Sequence, residues 1–201
     1  MPPLPSRLAT IEDADAVTDT IATAFYNDPF WSWVFADDTK RAAQFRVWWR
    51  VFVDAAFRNR NSTWIAGDCA SVALWTAPGG TEMTPDDEAE LVRLVLEFIE
   101  GDHAGKVLEV LAGFEAAHPH DVPHYYLSIV ATHDDYRGHG YGEMLLAENL
   151  KRVDAEHAPA YLESSNPLNV NRYMRLGFEP IGEVSVPDGR PPITTMWRTE
   201  R

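Results

Sequence analysis

Tyr136-Arg-Gly-His-Gly-Tyr-Gly142 lies between an apolar run at 125–130 and a helix-like periodic run at 141–150. The order is strand, glycine-rich turn, helix. Glycines keep side chains off such a turn, so its backbone N–H groups and the helix start can face an anion, a diphosphate above all. A Walker loop would continue with Lys and then Ser or Thr, but Glu143 and Met144 stand there. A dinucleotide-binding fold would carry its glycines early, with an acid about 20 residues later. Here the glycines fall in the second half of the chain, although Glu156 and Glu163 follow them. Taken alone, a short Gly-x-Gly also fits a plain tight turn.

Working outward, the 201 residues are 45% hydrophobic, enough for one substantial core and a single domain over 1–201. The net charge of −14 argues against a nucleic-acid partner, which needs clustered Lys and Arg. It suits a cationic small molecule or peptide, and equally serves solubility alone. Cys69 is the lone cysteine and opens an apolar run, so it reads as a buried structural thiol rather than a nucleophile. No stretch approaches membrane-spanning length, and residues 1–9, with three prolines, do not resemble a secretory signal. A cytoplasmic location without membrane contact is the expectation.

The periodicity predicts a strand at 7–10 and a helix opening at Thr10 and Asp13, with Ala14, Val17, Ile21, Ala24 and Phe25 on one face and a stop at Asp28-Pro29. An aromatic segment at 30–35 and a helix at 42–57 follow. Strands at 63–66 and 69–75 flank Gly67-Asp68 as a hairpin. Helices are expected near 86–100 and 103–117, a strand at 124–132, the helix 141–155, and a strand at 160–163. A helix at 168–176 closes on Gly177, before strands at 178–186 and 193–197. The pattern is a mixed α/β layer structure with only part of its sheet parallel.

Two further blocks narrow the reading. Tyr161-Leu-Glu-Ser-Ser-Asn166 is followed by Asn171-Arg-Tyr-Met-Arg-Leu-Gly-Phe178. With Arg137-Gly-His-Gly-Tyr-Gly142, they resemble the Gcn-related N-acetyltransferase (GNAT) superfamily. The first block matches its Arg/Gln-x-x-Gly-x-Gly/Ala element and the last its Tyr-x-x-x-Gly-Phe element. The opening, with Asn27-Asp-Pro29, looks like actinobacterial members near puromycin acetyltransferase. The resemblance implies a six- to seven-stranded mixed sheet flanked by helices, with two splayed central parallel strands. It places the cofactor-binding core at about 124–180 and the acceptor-side elements at about 10–120. It implies transfer of an acetyl group from acetyl-CoA, without a metal, to the amine of a small molecule. Attack would be direct, through a tetrahedral intermediate. A non-catalytic acyl-CoA-binding domain on the same fold is the alternative.

The resemblance also assigns roles. Backbone groups of Val130 and Thr132 would pair with pantetheine, and the Val130 N–H would polarise the thioester carbonyl. The amides of Arg137, Gly138, His139, Gly140, Tyr141 and Gly142 would hold the diphosphate, with Arg137 free to add its side chain. Asn166 and Asn169 would contact the cofactor or act as helix caps. Tyr173 would protonate the departing thiolate, as a phenol that stays protonated near neutrality can.

The general base is read from the residues themselves. By the period-2 rule His124 and Tyr126 share a strand face with Val130, so His124 is the first candidate, with His120 and Glu82 behind it. A strand-end histidine without chemistry is the competing reading. His118, His120 and His124 match no ordinary zinc spacing. Trp31, Trp33, Phe35, Trp48 and Trp49 belong to the core or wall a pocket for a cationic or aromatic amine. Monomer and homodimer are both open.

Overall fold

The computed structural model describes residues 5–201. Its sheet has seven strands in the order β1-β2-β3-β4-β5-β7-β6. These are β1 (Ser6–Leu8), β2 (Ser62–Ala66), β3 (Ser71–Thr76), β4 (Tyr125–Thr132), β5 (Ala160–Ser164), β6 (Glu179–Val184) and β7 (Ile193–Arg198). Every neighbouring pair is antiparallel except β4 and β5. The architecture is the expected mixed α/β sheet flanked by helices.

The parallel pair is where the sheet opens. β4 and β5 are in register only at Tyr125↔Ala160 and Tyr126↔Tyr161. Beyond Tyr126 the strands part, so backbone groups of β4 that point toward β5 have no sheet partner there. Just past this point β4 is bulged. Trp75 pairs with Leu127 and Leu74 with Ile129, leaving Ser128 without a partner on β3. An extra residue of this kind bends its strand and reverses the side-chain alternation beyond it.

That reversal corrects one expectation. Leu127 packs with Leu145, Leu162 and Phe178, and Val130 lies against the same cluster. Ile129 and Ala131 pack on the opposite face, with Val17, Trp48 and Trp49. Tyr126 faces His118 and Tyr161, with ring centroids 4.8 and 5.9 Å away. Val130 therefore sits on the other face from His124 and Tyr126. An unbroken period of two would have put all three together.

One face of the sheet is covered by α1 (Ala14–Phe25), α2 (Trp31–Val34), α3 (Asp38–Arg58), α4 (Pro85–Phe98) and α5 (Asp102–Ala117). The other carries α6 (Tyr141–Ala155) and α7 (Pro167–Arg175). Thr10 N–H donates to the Asp13 carboxylate at 2.8 Å, fixing the turn that leads into α1. α3 begins four residues before the apolar pattern does, because Asp37 caps it by accepting from Thr39 N–H at 3.0 Å. Trp31, Phe35, Trp48 and Trp49 are buried and pack on one another, and buried Trp33 packs on Phe30 and His103, so all five are core rather than pocket wall. Cys69 is a buried free thiol in a left-handed turn that delays β3 to Ser71.

Candidate active site

A cavity of about 490 Å³ opens between α1, β4, the glycine loop, α6 and α7. Val130, Thr132, Arg137, Gly138, Gly140, Tyr141, Gly142, Asn166, Asn169 and Tyr173 all line it. The structure thus gathers ten of the expected site residues around one space. His139 and His124 lie outside that lining. The His139 ring stacks on Tyr141 at 5.6 Å and 15°, on the exposed side of the loop. His124 is buried behind β4.

The loop is shaped for its task by backbone conformation. Gly138 and Gly140 have φ of +79° and +77°, which side-chain-bearing residues resist. Gly142 is needed for another reason: a Cβ there would stand 2.9 Å from Thr132 Oγ1. That close approach seats the first turn of α6 against β4. The N–H groups of Gly138, His139, Gly140, Gly142 and Glu143 meet no acceptor among the described residues. Several belong to the first turn of α6, where helical donors have no partner of their own. Helix dipole and free donors together make the loop an anion cradle.

Arg137 is less available than expected. Its Nε bonds Asp134 Oδ1 at 2.9 Å and its Nη2 donates to the Ala24 carbonyl, which ties the loop to the end of α1. Asn166 caps α7 by accepting from Leu168 N–H at 3.0 Å. Asn169 accepts from Arg172 at 3.1 Å. Both asparagines still border the cavity.

Tyr173 is presented by α7 and nearly buried. Its hydroxyl has no hydrogen-bond partner among the described residues, so it is free to donate into the cavity. Burial raises its pKa well above the usual phenol range, the Asp28 carboxylate adds to the effect, and Arg172 opposes it. The group is an intact proton donor at neutral pH.

Asp28 is the residue the sequence reading passed over as a helix stop. It is buried and borders the same cavity. One carboxylate oxygen accepts from Phe30 N–H at 3.0 Å and Trp31 N–H at 3.2 Å, and so holds the start of α2. The other accepts from Ser165 Oγ at 2.9 Å. Burial pushes its pKa up, against those hydrogen bonds. The available signal was a lone acid ahead of an aromatic segment, but its partner lies 137 residues away.

His124 has a different setting. Its Nδ1–H donates to the Val122 carbonyl at 2.7 Å, and its Nε2 is 3.1 Å from His118 Nε2. Its ring packs on Trp197 and Tyr161. Burial lowers its pKa. The structure therefore separates the first base candidate from Tyr173. Glu82 lies on the His124 face beside Ser128, and His120 is exposed near Glu115.

Comparison with known proteins agrees with this geometry. Residues 71–178 match the family described as Acetyltransferase (GNAT) family. A structure described as histone acetyltransferase HPA2 and related acetyltransferase, from Corynebacterium glutamicum, superposes with a TM-score of 0.73 at 27% identity. It covers 100% of this chain and 98% of that one. Arylalkylamine N-acetyltransferase 2 from Aedes aegypti gives 0.63 at 14% identity, covering 98% and 99%. A polyamine N-acetyltransferase from Drosophila melanogaster gives 0.63 at 13%, with the same coverage. The last two establish likeness of fold.

Proposed function

The chain belongs to the acetyltransferase (GNAT) family and is an acyl-CoA-dependent acetyltransferase; from that premise we propose that it moves the acetyl group of acetyl-CoA to the amine of a small molecule. One observation carries the reading. A single cavity joins a cradle of free amides, the parted edge of β4, a buried carboxylate and a buried phenol.

The amides of residues 138–143 would hold the diphosphate, and the free edge of β4 at Val130 and Thr132 would align the pantetheine arm. Val130 N–H would stabilise the oxyanion as the amine attacks. Asp28 is the better placed base. It shares the cavity with Tyr173, and its raised pKa makes it a stronger proton acceptor than an ordinary carboxylate. An acceptor ammonium gives its proton to Asp28, the free amine attacks the thioester carbon, and the tetrahedral intermediate expels the thiolate while its nitrogen sheds a second proton to solvent. Tyr173 protonates that thiolate. Ser165 and the two N–H donors keep Asp28 oriented. Arylalkylamine and polyamine acetyltransferases among the similar folds support an amine acceptor. Use of acetyl-CoA supports a cytoplasmic location; among the described residues no helix is long and apolar enough to cross a membrane.

The test is an amine panel with acetyl-CoA, read by thiol release, with aliphatic amines, arylalkylamines and puromycin-like antibiotic amines as its arms. Tyr173→Phe should lower kcat by about 10²-fold or more while acetyl-CoA affinity holds. Unchanged kcat in that variant, with chemistry shown to be rate-limiting, would remove Tyr173 from the mechanism.

A further inference from the structure

Two walls of the cavity come from distant parts of the chain. One is the glycine loop with the head of α6, from Tyr136 to Glu143. The other is the end of α1 and the turn after it, at Ala24, Phe25, Asn27 and Asp28. The Arg137 side chain joins them. It stands directly before Gly138, where the free amides of the cradle begin. Asp134 Oδ1 accepts from its Nε at 2.9 Å, and its Nη2 donates to the Ala24 carbonyl.

Ala24 lies in the last turn of α1, where carbonyls run out of helical partners. The N–H that would reach it is that of Asp28, four residues on. That N–H donates instead to the Phe25 carbonyl, at 3.0 Å. Arg137 therefore caps α1 from a remote part of the chain, and a guanidinium suits the negative end of the helix dipole. Asp28 leaves the helix from this capped turn. Its carboxylate is then fixed by the Phe30 and Trp31 N–H groups and by Ser165. With Nε and Nη2 both engaged by protein groups, Arg137 is arranged as a strut rather than as a two-pronged phosphate clamp.

We propose that Arg137 is a positioning residue for the transfer reaction: its side chain holds the turn that carries Asp28 in register with the anion cradle and is not a ligand of the diphosphate. This rests on the acetyl-transfer reading above, with Asp28 as the base. Reaction requires the acceptor nitrogen at Asp28 and the thioester on β4 to meet within a few tenths of an ångström, and errors of ~1 Å cost rate steeply. The bridge through Arg137 fixes that separation. Removing it loosens Asp28 and leaves the free amides of the cradle in place.

The experiment compares the wild type with Arg137→Ala and Arg137→Lys, by thiol release with the fastest amine of the panel and by calorimetric titration of acetyl-CoA. In Arg137→Ala kcat should fall about tenfold or more, as a displaced base demands. Acetyl-CoA affinity should fall by no more than about threefold, the effect of losing one half-exposed charge. Arg137→Lys keeps the charge but cannot engage both partners, so its kcat should fall as well. An affinity loss equal to or larger than the loss in kcat overturns the proposal and makes Arg137 a diphosphate ligand. Full kcat in Arg137→Lys also overturns it, since charge alone would then suffice. If the wild type acetylates no amine, the failure belongs to the earlier reading, and amide hydrogen exchange in the CoA complex decides the strut. The N–H groups of Asp28, Phe30 and Trp31 should exchange faster in Arg137→Ala than in the wild type, and unchanged exchange overturns it.

Discussion

Replacing Glu82 with Gln should change how stability depends on pH, in a direction and window set by burial. The carboxyl of Glu82 is pushed from an ordinary value of 4.5 up to about 7, first by burial and then by Glu163, against the Ser128 hydroxyl and His118. The folded state therefore holds the proton that the unfolded chain releases above pH 4.5. A group raised in this way contributes most below its unfolded pKa, and the contribution fades as pH rises through its folded pKa. At ~1.4 kcal/mol per pH unit the gap amounts to roughly 2–3 kcal/mol for this largely buried group. Other groups titrate nearby. His124, whose pKa burial lowers, gains stability with rising pH and so runs the opposite way. Subtracting the variant from the wild type at each pH removes such common terms. Urea unfolding followed by fluorescence of the seven tryptophans gives both curves. The wild-type advantage should fall by roughly 2–3 kcal/mol between about pH 4.5 and pH 8. A difference that stays flat across that range would show that Glu82 titrates normally, and the argument from its burial would be refuted.

Two other perturbations test the frame around the cleft. Asp154→Ala should cost about 2–3 kcal/mol in urea unfolding, because it strands the buried Arg198 guanidinium, which Asp154 engages at 2.6 and 2.9 Å; a loss below ~1 kcal/mol would mean that water replaces the carboxylate. Since Asp154 is held below the usual carboxylate range, its contribution should be present above about pH 4 and fade as pH falls. Gly142→Ala should weaken acetyl-CoA binding by about tenfold in calorimetry, as its Cβ pushes α6 away from Thr132 and displaces the amide cradle. Gly105→Ala in α5, where nothing lies within 4 Å of the added carbon, is the control and should stabilise by about 0.5–1 kcal/mol without affecting binding.

The glycine-loop wall of the cavity was legible because its signals are local. Glycines at positive φ, a helix starting beside them, and an Asn-Pro helix start before Tyr173 all act within a few residues. Helix ends were less legible where capping overrides apolar period, as with Asp37 at the head of α3. The buried carboxyl groups around the splay were illegible for a physical reason: they meet their partners only through the sheet. Asp28 looks like a stop signal until β5 brings Ser165 to it, and Glu82 looks like a loop acid until Ser128 and Glu163 close around it. Nothing in the neighbourhood of either residue along the chain announces burial.

A single residue sets His124 apart from the cavity that Tyr173 lines. Ser128 suits a strand as well as any neighbour, so the run 125–130 reads as unbroken alternation. Yet pairing with β3 skips it, and the consequences spread in both directions along β4. Behind the bulge, His124 and Tyr126 stay on the face of α5, with His118 and the buried glutamates. Ahead of it, Val130 turns to the face of α6 and α7, where the cavity and Tyr173 lie. The bulge also falls immediately beyond the last β4–β5 pair, where a bend in β4 carries it away from its parallel neighbour. The same inserted residue thus opens the cleft and sorts the side chains on its two walls. The anion cradle and Tyr173 fall on one side and Glu82 and Glu163 on the other, with Asp28 reaching between them from the turn after α1. A strand face assigned by parity is misassigned across such a bulge, whereas membership of the shared cavity, as for Asp28 and Tyr173, does not depend on parity at all.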